Sequence, residues 1–160
     1  MNNGILPLLL LGVTLGLALS TVAAAAAWRG WIAAAVVALA TSFVPIAREQ
    51  LIAVEVALWA SVVGTAVLAY LPERIAARAI LPLAINAGAW LGGVAAASAM
   101  RPAMLAGLVV ALVFVPIQAL ASRGSTIAVK VVASWMIAIG TLAIFVSMVP
   151  TPGYKQDHME

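Results

Sequence analysis

Two ionisable residues, Glu55 and Lys130, lie inside long apolar stretches of the chain, where a charge is costly enough to indicate a function. They carry opposite charges and occupy equivalent positions of an internal repeat. Each lies about five residues inside a predicted membrane-spanning helix, or roughly 7 Å from one end of it. An ion pair between the two is not expected, because the repeat predicts that they enter the membrane from opposite faces.

Local partners are predicted for both charges instead. Glu55 is expected on the same side of the membrane as Arg48 and Arg101, and Lys130 on the same side as Glu73. Two interpretations stay open: the charges line a polar pathway, or Lys130 extends to the interface while Glu55 pairs with an arginine that sets helix register. If Glu55→Gln and Lys130→Gln lower stability but leave transport or partner binding intact, the pathway interpretation is wrong.

Two glycine pairs have the spacing that lets membrane helices approach closely, and each follows a proline in the same span. The pairs are Gly12 with Gly16, after Pro7, and Gly88 with Gly92, after Pro82. Helix packing is favoured over substrate lining, although the two roles can coexist at the interface of two repeats. Asn86 adds an amide to the second of these spans, either to line a cavity or to bond a neighbouring helix.

Other chemistry is excluded by what the chain lacks. It has no cysteine and one histidine, His158, so thiol redox chemistry, cysteine-ligated metals and paired-histidine haem sites are not available within one chain. The carboxylates in the spans and turns are isolated, and no phosphate loop or serine–histidine pair is present. We expect no enzyme activity, no metal, no cofactor and, from scattered single arginines, no nucleic-acid partner.

The elements that must position these residues are membrane helices. Of 160 residues, 66% are hydrophobic and 8% are charged, which is too little polar surface for a water-soluble domain. Short polar breaks, the first at Arg29-Gly30 between Trp28 and Trp31, divide the chain into six spans. The sequence therefore predicts one all-α integral membrane domain with a polar tail at 150–160 and spans at about 4–27, 31–47, 51–71, 79–99, 103–121 and 127–149.

The spans form an internal repeat, because a series of segments recurs in unbroken order roughly 70 to 76 residues later. The matches include Ile-Leu-Pro-Leu at residues 5–8 and 80–83, Val-Val-Ala-Leu at 36–39 and 109–112, and Phe-Val-Pro-Ile at 43–46 and 114–117. Chance similarity of apolar helices is disfavoured, since proline, glycine, arginine and tryptophan also match. Each repeat, about 4–71 and about 79–149, has three spans, an odd number, so the repeats are predicted to be inverted.

An inverted repeat favours a small transporter or permease-like protein with its site at the repeat interface, near Pro7, Pro82, Gly12 and Gly88. The few buried charges predict a neutral, lipophilic or weakly anionic substrate. The alternative is a non-transporting subunit or assembly factor that contacts lipid or pigment in a larger membrane complex. The expected partners are the bilayer and a membrane-protein complex or a second copy, and the expected location is a bacterial inner membrane with both termini outside the cytoplasm.

Overall fold

The computed structural model of the chain describes residues 5–44, 51–97, 101–121 and 126–148, and the regular structure there is helical. A 3-10 turn, Leu68–Tyr70, extends the third helix. The predicted polar tail at 150–160 lies outside the described residues. The helices are α1 (Ile5–Ser20), α2 (Ala24–Thr41), α3 (Leu51–Val67), α4 (Glu73–Ala97), α5 (Arg101–Ala111), α6 (Phe114–Ala121) and α7 (Thr126–Met148).

Among the described residues, five helical segments are long and apolar enough to cross a membrane, and α5 and α6 together make one of them. The helix α1 has 16 residues, and its length of about 24 Å is shorter than a hydrocarbon core of roughly 30 Å. The prediction of a helical chain with several helices long and apolar enough to span a membrane is confirmed in the described ranges. The first span is shorter than predicted.

The predicted turn at Arg29-Gly30 is wrong, because both residues lie within α2. The chain turns at residues 21–23 instead. The hydroxyl groups of Ser20 and Thr21 donate hydrogen bonds to carbonyl groups three residues back, at 2.6 and 2.7 Å, and close the last turn of α1. The alanine tract that follows has the highest helix propensity and begins α2. Consequently Trp28 and Trp31 do not flank a turn but lie on one helix, with their rings in edge-to-face contact at 5.9 Å.

The fourth span begins at Glu73, six residues before the predicted start at 79. The carbonyl of Pro72 accepts hydrogen bonds from the backbone N–H groups of Ile75 and Ala76, so Pro72 begins the helix. A carboxylate such as that of Glu73 is favourable in a first helical turn, where the helix dipole is positive. The predicted spans leave residues 72–78 outside any helix, whereas Glu73, Arg74 and Arg78 lie in the exposed N-terminal turns of α4.

A proline interrupts the fifth span. The chain leaves helical geometry at Leu112 and Val113, four and three residues before Pro116. Proline has no N–H group, and its ring opposes the carbonyl four residues earlier, here that of Leu112. That carbonyl accepts from the N–H of Val115 at 3.0 Å instead. In the first half of the chain, α2 likewise ends at Thr41, four residues before Pro45 in the sequence.

The core of the bundle is built around α1, of whose 16 residues ten are buried. Packing pairs α1 with α5, α2 with α4, and α3 with α7, and α1 also contacts α3 and α4. Most of α7 faces outward and exposes large apolar side chains such as Ile127, Trp135 and Phe145. A helix with no charged residue and an apolar surface on every side, like α1, is suited to this central position.

Candidate functional site

The glycines of α1 bring its backbone against that of α5. A Cβ atom on Gly12 would overlap the carbonyl oxygen of Gly107. A Cβ atom on Gly16 would lie 2.8 Å from the carbonyl oxygen of Ala111, also too close. Four residues further along α1, from Gly12 to Gly16, the contact lies four residues further along α5, so the two helices run parallel where they cross.

The glycines of α4 make a second crossing of the same kind, with α2. A Cβ atom on Gly88 would overlap the carbonyl oxygen of Ala34, and one on Gly92 would overlap that of Ala38. These helices also run parallel. In the sequence repeat, Gly12 and Gly16 match Gly88 and Gly92, while Ala34 and Ala38 match Gly107 and Ala111. Equivalent residues therefore form the same backbone contact twice, and all four predicted glycines pack helices together.

The two prolines that precede these glycines differ in their surroundings. Pro7 is buried in the first turn of α1. Pro82 lies inside α4, which continues through it, and it is exposed on the outer face of the bundle. Neither proline lines the cavity described below. The region predicted to hold a site, bounded by these prolines and glycines, is thus a packed helix crossing in the described part of the chain.

Asn86 bonds a neighbouring helix. Its side-chain nitrogen donates to the hydroxyl oxygen of Ser61 on α3 at 2.8 Å, and its carbonyl oxygen accepts from the indole N–H of Trp90 at 3.1 Å. Ser61 in turn donates to the carbonyl of Ala57 at 2.9 Å. Every member of this chain of hydrogen bonds has a partner, which makes it a contact between α3 and α4 near the middle of both helices.

Replacement of Asn86 by leucine should lower the stability of the protein by about 1 kcal/mol, because hydrogen bonds between membrane helices contribute roughly 0.6 to 2 kcal/mol. Asn86→Gln, which keeps the amide on a longer side chain, should recover part of the loss. Thermal unfolding in detergent measures both. An Asn86→Leu protein that melts at the wild-type temperature would show that the Ser61 and Trp90 contacts add nothing to stability.

A cavity of about 250 Å³, open to the surface, lies where α1 ends. Its walls come from the end of α1, the 3-10 turn after α3, and the first turns of α4 and α7. The lining residues are Ser20, Thr21, Ala69, Leu71, Glu73, Val129 and Lys130. Glu73 and Lys130, which the sequence assigned to the same side of the membrane, thus contribute to one cavity and carry opposite charges.

Gln118 of α6 holds the wall formed by α1. Its side-chain amide nitrogen donates two hydrogen bonds, to the carbonyl oxygens of Leu19 at 3.1 Å and Val22 at 2.9 Å. Helix ends leave carbonyls without partners, and an amide N–H₂ group has the two donors needed here. Sequence reasoning missed Gln118. Its signal was a single amide in the otherwise apolar segment Phe114–Ala121.

Tyr70 links the 3-10 turn after α3 to the start of α7, next to the cavity. Its hydroxyl group donates to the backbone carbonyl of Lys130 at 2.6 Å and is in close contact with the hydroxyl of Ser134. This bond fixes the end of α3 to the start of α7, beside the residue that carries the positive charge. Tyr70 and Ser134 were also missed, because a contact between residues 60 or more positions apart leaves no local pattern.

Glu55 and Arg101 lie away from this cavity. Along α3 and α7, Tyr70 meets Lys130 whereas Val63 lies beside Gly140, so the two helices are antiparallel and Glu55 is at the opposite end from Lys130. Glu55 is exposed, and the guanidinium of Arg101 lies over the ring of Phe43, 5.4 Å from its centroid. Arg48, the other partner predicted for Glu55, is outside the described residues.

The cavity is lined by a carboxylate, an ammonium group and two hydroxyl groups, and because Glu73 and Lys130 are exposed, it can accept a polar solute at the surface of the bundle. In the described ranges, no three His, Cys, Asp or Glu side chains come together as metal ligands would. No protein-family model matches this chain, and no curated protein or solved structure is significantly similar to it.

Proposed function

We propose that this chain is a small permease-like membrane protein whose substrate binds in the cavity lined by Ser20, Thr21, Glu73 and Lys130. The observation that carries the proposal is the position of that cavity: its walls come from the first and third helices of both repeats. Sites of repeat-built transporters lie where the repeats meet, near the bilayer midplane, and this cavity shares the first feature but lies toward one end of the helices. The proposed site is therefore still between the repeats, but at the end of α1 rather than at the glycine crossings.

The proposal includes an inverted arrangement of the two three-helix units. Its support is the exchange of partners in the two glycine crossings, where α1 packs on α5 and the matching α4 packs on the matching α2. The third helices, α3 and α7, pack on each other and run antiparallel. A two-fold axis in the membrane plane relates helices in this way, because it exchanges the units and reverses their direction.

The packing also suggests which parts move. The glycine crossings hold α1, α2, α4 and α5 together through backbone contacts, and such contacts resist sliding. In contrast, α7 has the smallest buried share among the helices long enough to span. We infer that α7 shifts against the other helices and opens the cavity to one side.

Cysteine labelling tests the inverted arrangement, since the native chain has no cysteine. Glu55→Cys and Lys130→Cys place one thiol at each of two matched repeat positions. In oriented vesicles, a membrane-impermeant maleimide should label the two variants from opposite sides, and Ser20→Cys should follow Lys130→Cys. Labelling of Glu55→Cys and Lys130→Cys from the same side would contradict the arrangement.

Reconstituted vesicles test transport itself. Liposomes that contain the purified protein should release a trapped small solute that fits the cavity. Radiolabelled glycine and phosphoethanolamine are suitable probes, because each carries both a positive and a negative group. Release should fall about tenfold or more in Glu73→Gln, whose charge lines the cavity, and should be retained in Glu55→Gln, at the opposite end. Release no faster than from protein-free liposomes, for these probes and for labelled lipid, would count against a permease.

The alternative, a non-transporting subunit of a membrane complex, is favoured by one difference between the repeats. Trp59 of α3 is 7% exposed, whereas its repeat equivalent Trp135 of α7 is 67% exposed, with Phe145 on the same helix at 63%. Lipid or another protein can cover such a face. Purification with partners of fixed stoichiometry, lost on Trp135→Ala, would support the subunit and remove the autonomous permease.

A further inference from the structure

The geometry points to a zwitterion as the ligand of the cavity at the end of α1: a molecule with a primary ammonium group and a phosphate, such as the headgroup of an aminophospholipid or free phosphoethanolamine. The inference rests on the proposed function for the location of the site. It goes further by assigning which wall binds which charge.

The α1 wall offers hydrogen-bond acceptors. The hydrogens of the Ser20 and Thr21 hydroxyl groups are already donated to the carbonyls of Leu17 and Ala18, so each oxygen has only lone pairs to present to a ligand. The C-terminal end of a helix also carries a partial negative charge. Both features favour a cationic donor such as an ammonium group.

Glu73 strengthens the same preference. An ionised carboxylate accepts hydrogen bonds and donates none, and Glu73 lines the cavity together with Ser20 and Thr21. Three of the lining side chains thus present acceptor oxygens. A primary ammonium has three N–H donors to offer such a lining, whereas a quaternary ammonium of the same charge has none.

Lys130 supplies the opposite preference. Its ammonium group donates and cannot accept, and it is the cationic side chain that lines the cavity. Tyr70 bonds the backbone carbonyl of Lys130 and so fixes the helical turn from which the side chain extends. With a phosphate bound to Lys130 and an ammonium group bound at the α1 wall, both charges of the cavity, those of Lys130 and Glu73, would have a partner.

Size and depth favour a headgroup. The cavity of about 250 Å³ is below the roughly 300 to 1,000 Å³ of drug-sized sites. Lys130 is the fifth residue of α7, about 7 Å from its end, the depth at which a lysine reaches the lipid phosphates. Ala69, Leu71 and Val129 line the remaining wall and suit the methylene groups of the ligand.

Thermal unfolding in nanodiscs tests the inference without any measurement of transport. The full chain is compared in phosphatidylglycerol alone, with added phosphatidylethanolamine, with added phosphatidylcholine, and with soluble phosphoethanolamine. Phosphatidylethanolamine should raise the melting temperature by about 4 °C or more, and phosphatidylcholine should not. A similar rise with soluble phosphoethanolamine would identify a free solute, and a rise with the lipid alone would identify a headgroup.

Three variants separate binding from bulk lipid effects. Glu73→Gln and Lys130→Gln should abolish the rise in melting temperature. Glu55→Gln should keep it, because Glu55 is the fifth residue of α3, as Lys130 is of α7, but lies at the opposite end of the helices. The inference is overturned if neither phosphatidylethanolamine nor phosphoethanolamine raises the melting temperature, or if Glu73→Gln keeps the full rise. Binding in nanodiscs without transport in vesicles would remove the permease and leave the zwitterion site standing.

Discussion

Alanine at Gly12 or at Gly88 is expected to lower the free energy of unfolding by about 1 to 3 kcal/mol, the usual cost of overpacking a close contact. In each case the new methyl group would overlap a backbone carbonyl, of Gly107 or of Ala34, and backbone cannot rotate away as a side chain can. The helices must separate instead. Because the two contacts use matched residues of the repeats, the two losses should be similar in size.

The chain offers a matched control in Gly64, which lies within α3 and has no atom within 4 Å of where a Cβ would be. Gly64→Ala should leave stability unchanged or raise it by up to about 1 kcal/mol, through helix propensity alone. Thermal unfolding in one detergent compares the three variants. Equal effects of Gly12→Ala and Gly64→Ala would mean that the α1–α5 crossing is not a tight backbone contact.

Gly140 provides an intermediate case. A Cβ there would lie 2.7 Å from a methyl carbon of Val63, which belongs to a side chain and can move. The expected loss for Gly140→Ala is smaller than for Gly12→Ala. Gly64 and Gly140 occupy matched repeat positions, yet one is exposed and the other buried. Equal effects are therefore expected for Gly12 and Gly88 because their contacts are alike. They are not expected for Gly64 and Gly140, whose contacts differ.

The sequence was sufficient to predict that the four glycines pack helices together and that Glu73 and Lys130 lie on one side. The first prediction needs only the spacing of residues on one helix face, and the second needs only the number of spans before each charge. The ends of the helices were less predictable. A hydropathy pattern registers Arg29 as a break, but one arginine on an exposed helix face costs little, and α2 continues through it.

The cavity could not be predicted, because it depends on where α1 stops relative to other helices. Ser20 and Thr21 are polar residues that also occur inside membrane helices, and their hydroxyl bonds that close α1 are visible only in three dimensions. The same holds for Gln118, which reaches α1 from a residue 99 positions away in sequence. Polar contacts between distant segments have no periodic signature.

Gln118→Met is expected to destabilise the protein by about 1 to 3 kcal/mol, since it removes the donor of the Val22 carbonyl and leaves the Leu19 carbonyl with only the 3.5 Å bond from the N–H of Val22. Methionine has nearly the same length and is apolar, so packing is largely retained. Gln118→Glu should cost more, because an ionised carboxylate would face two carbonyl oxygens and offer no hydrogen. Unfolding in detergent should rank wild type, Gln118→Met and Gln118→Glu in that order of decreasing stability.

A second readout connects this residue to the cavity. The two carbonyls that Gln118 bonds flank Ser20 and Thr21, so a shift at the end of α1 would displace both hydroxyl oxygens from the site. Gln118→Met should therefore also reduce the phosphatidylethanolamine effect on melting. Ser147→Ala removes a hydroxyl bond to Ala143 within α7, a local bond of the kind that contributes little, and should change neither quantity. If Gln118→Met melts like Ser147→Ala, the end of α1 is held by its own hydroxyl groups, and the cavity does not depend on α6.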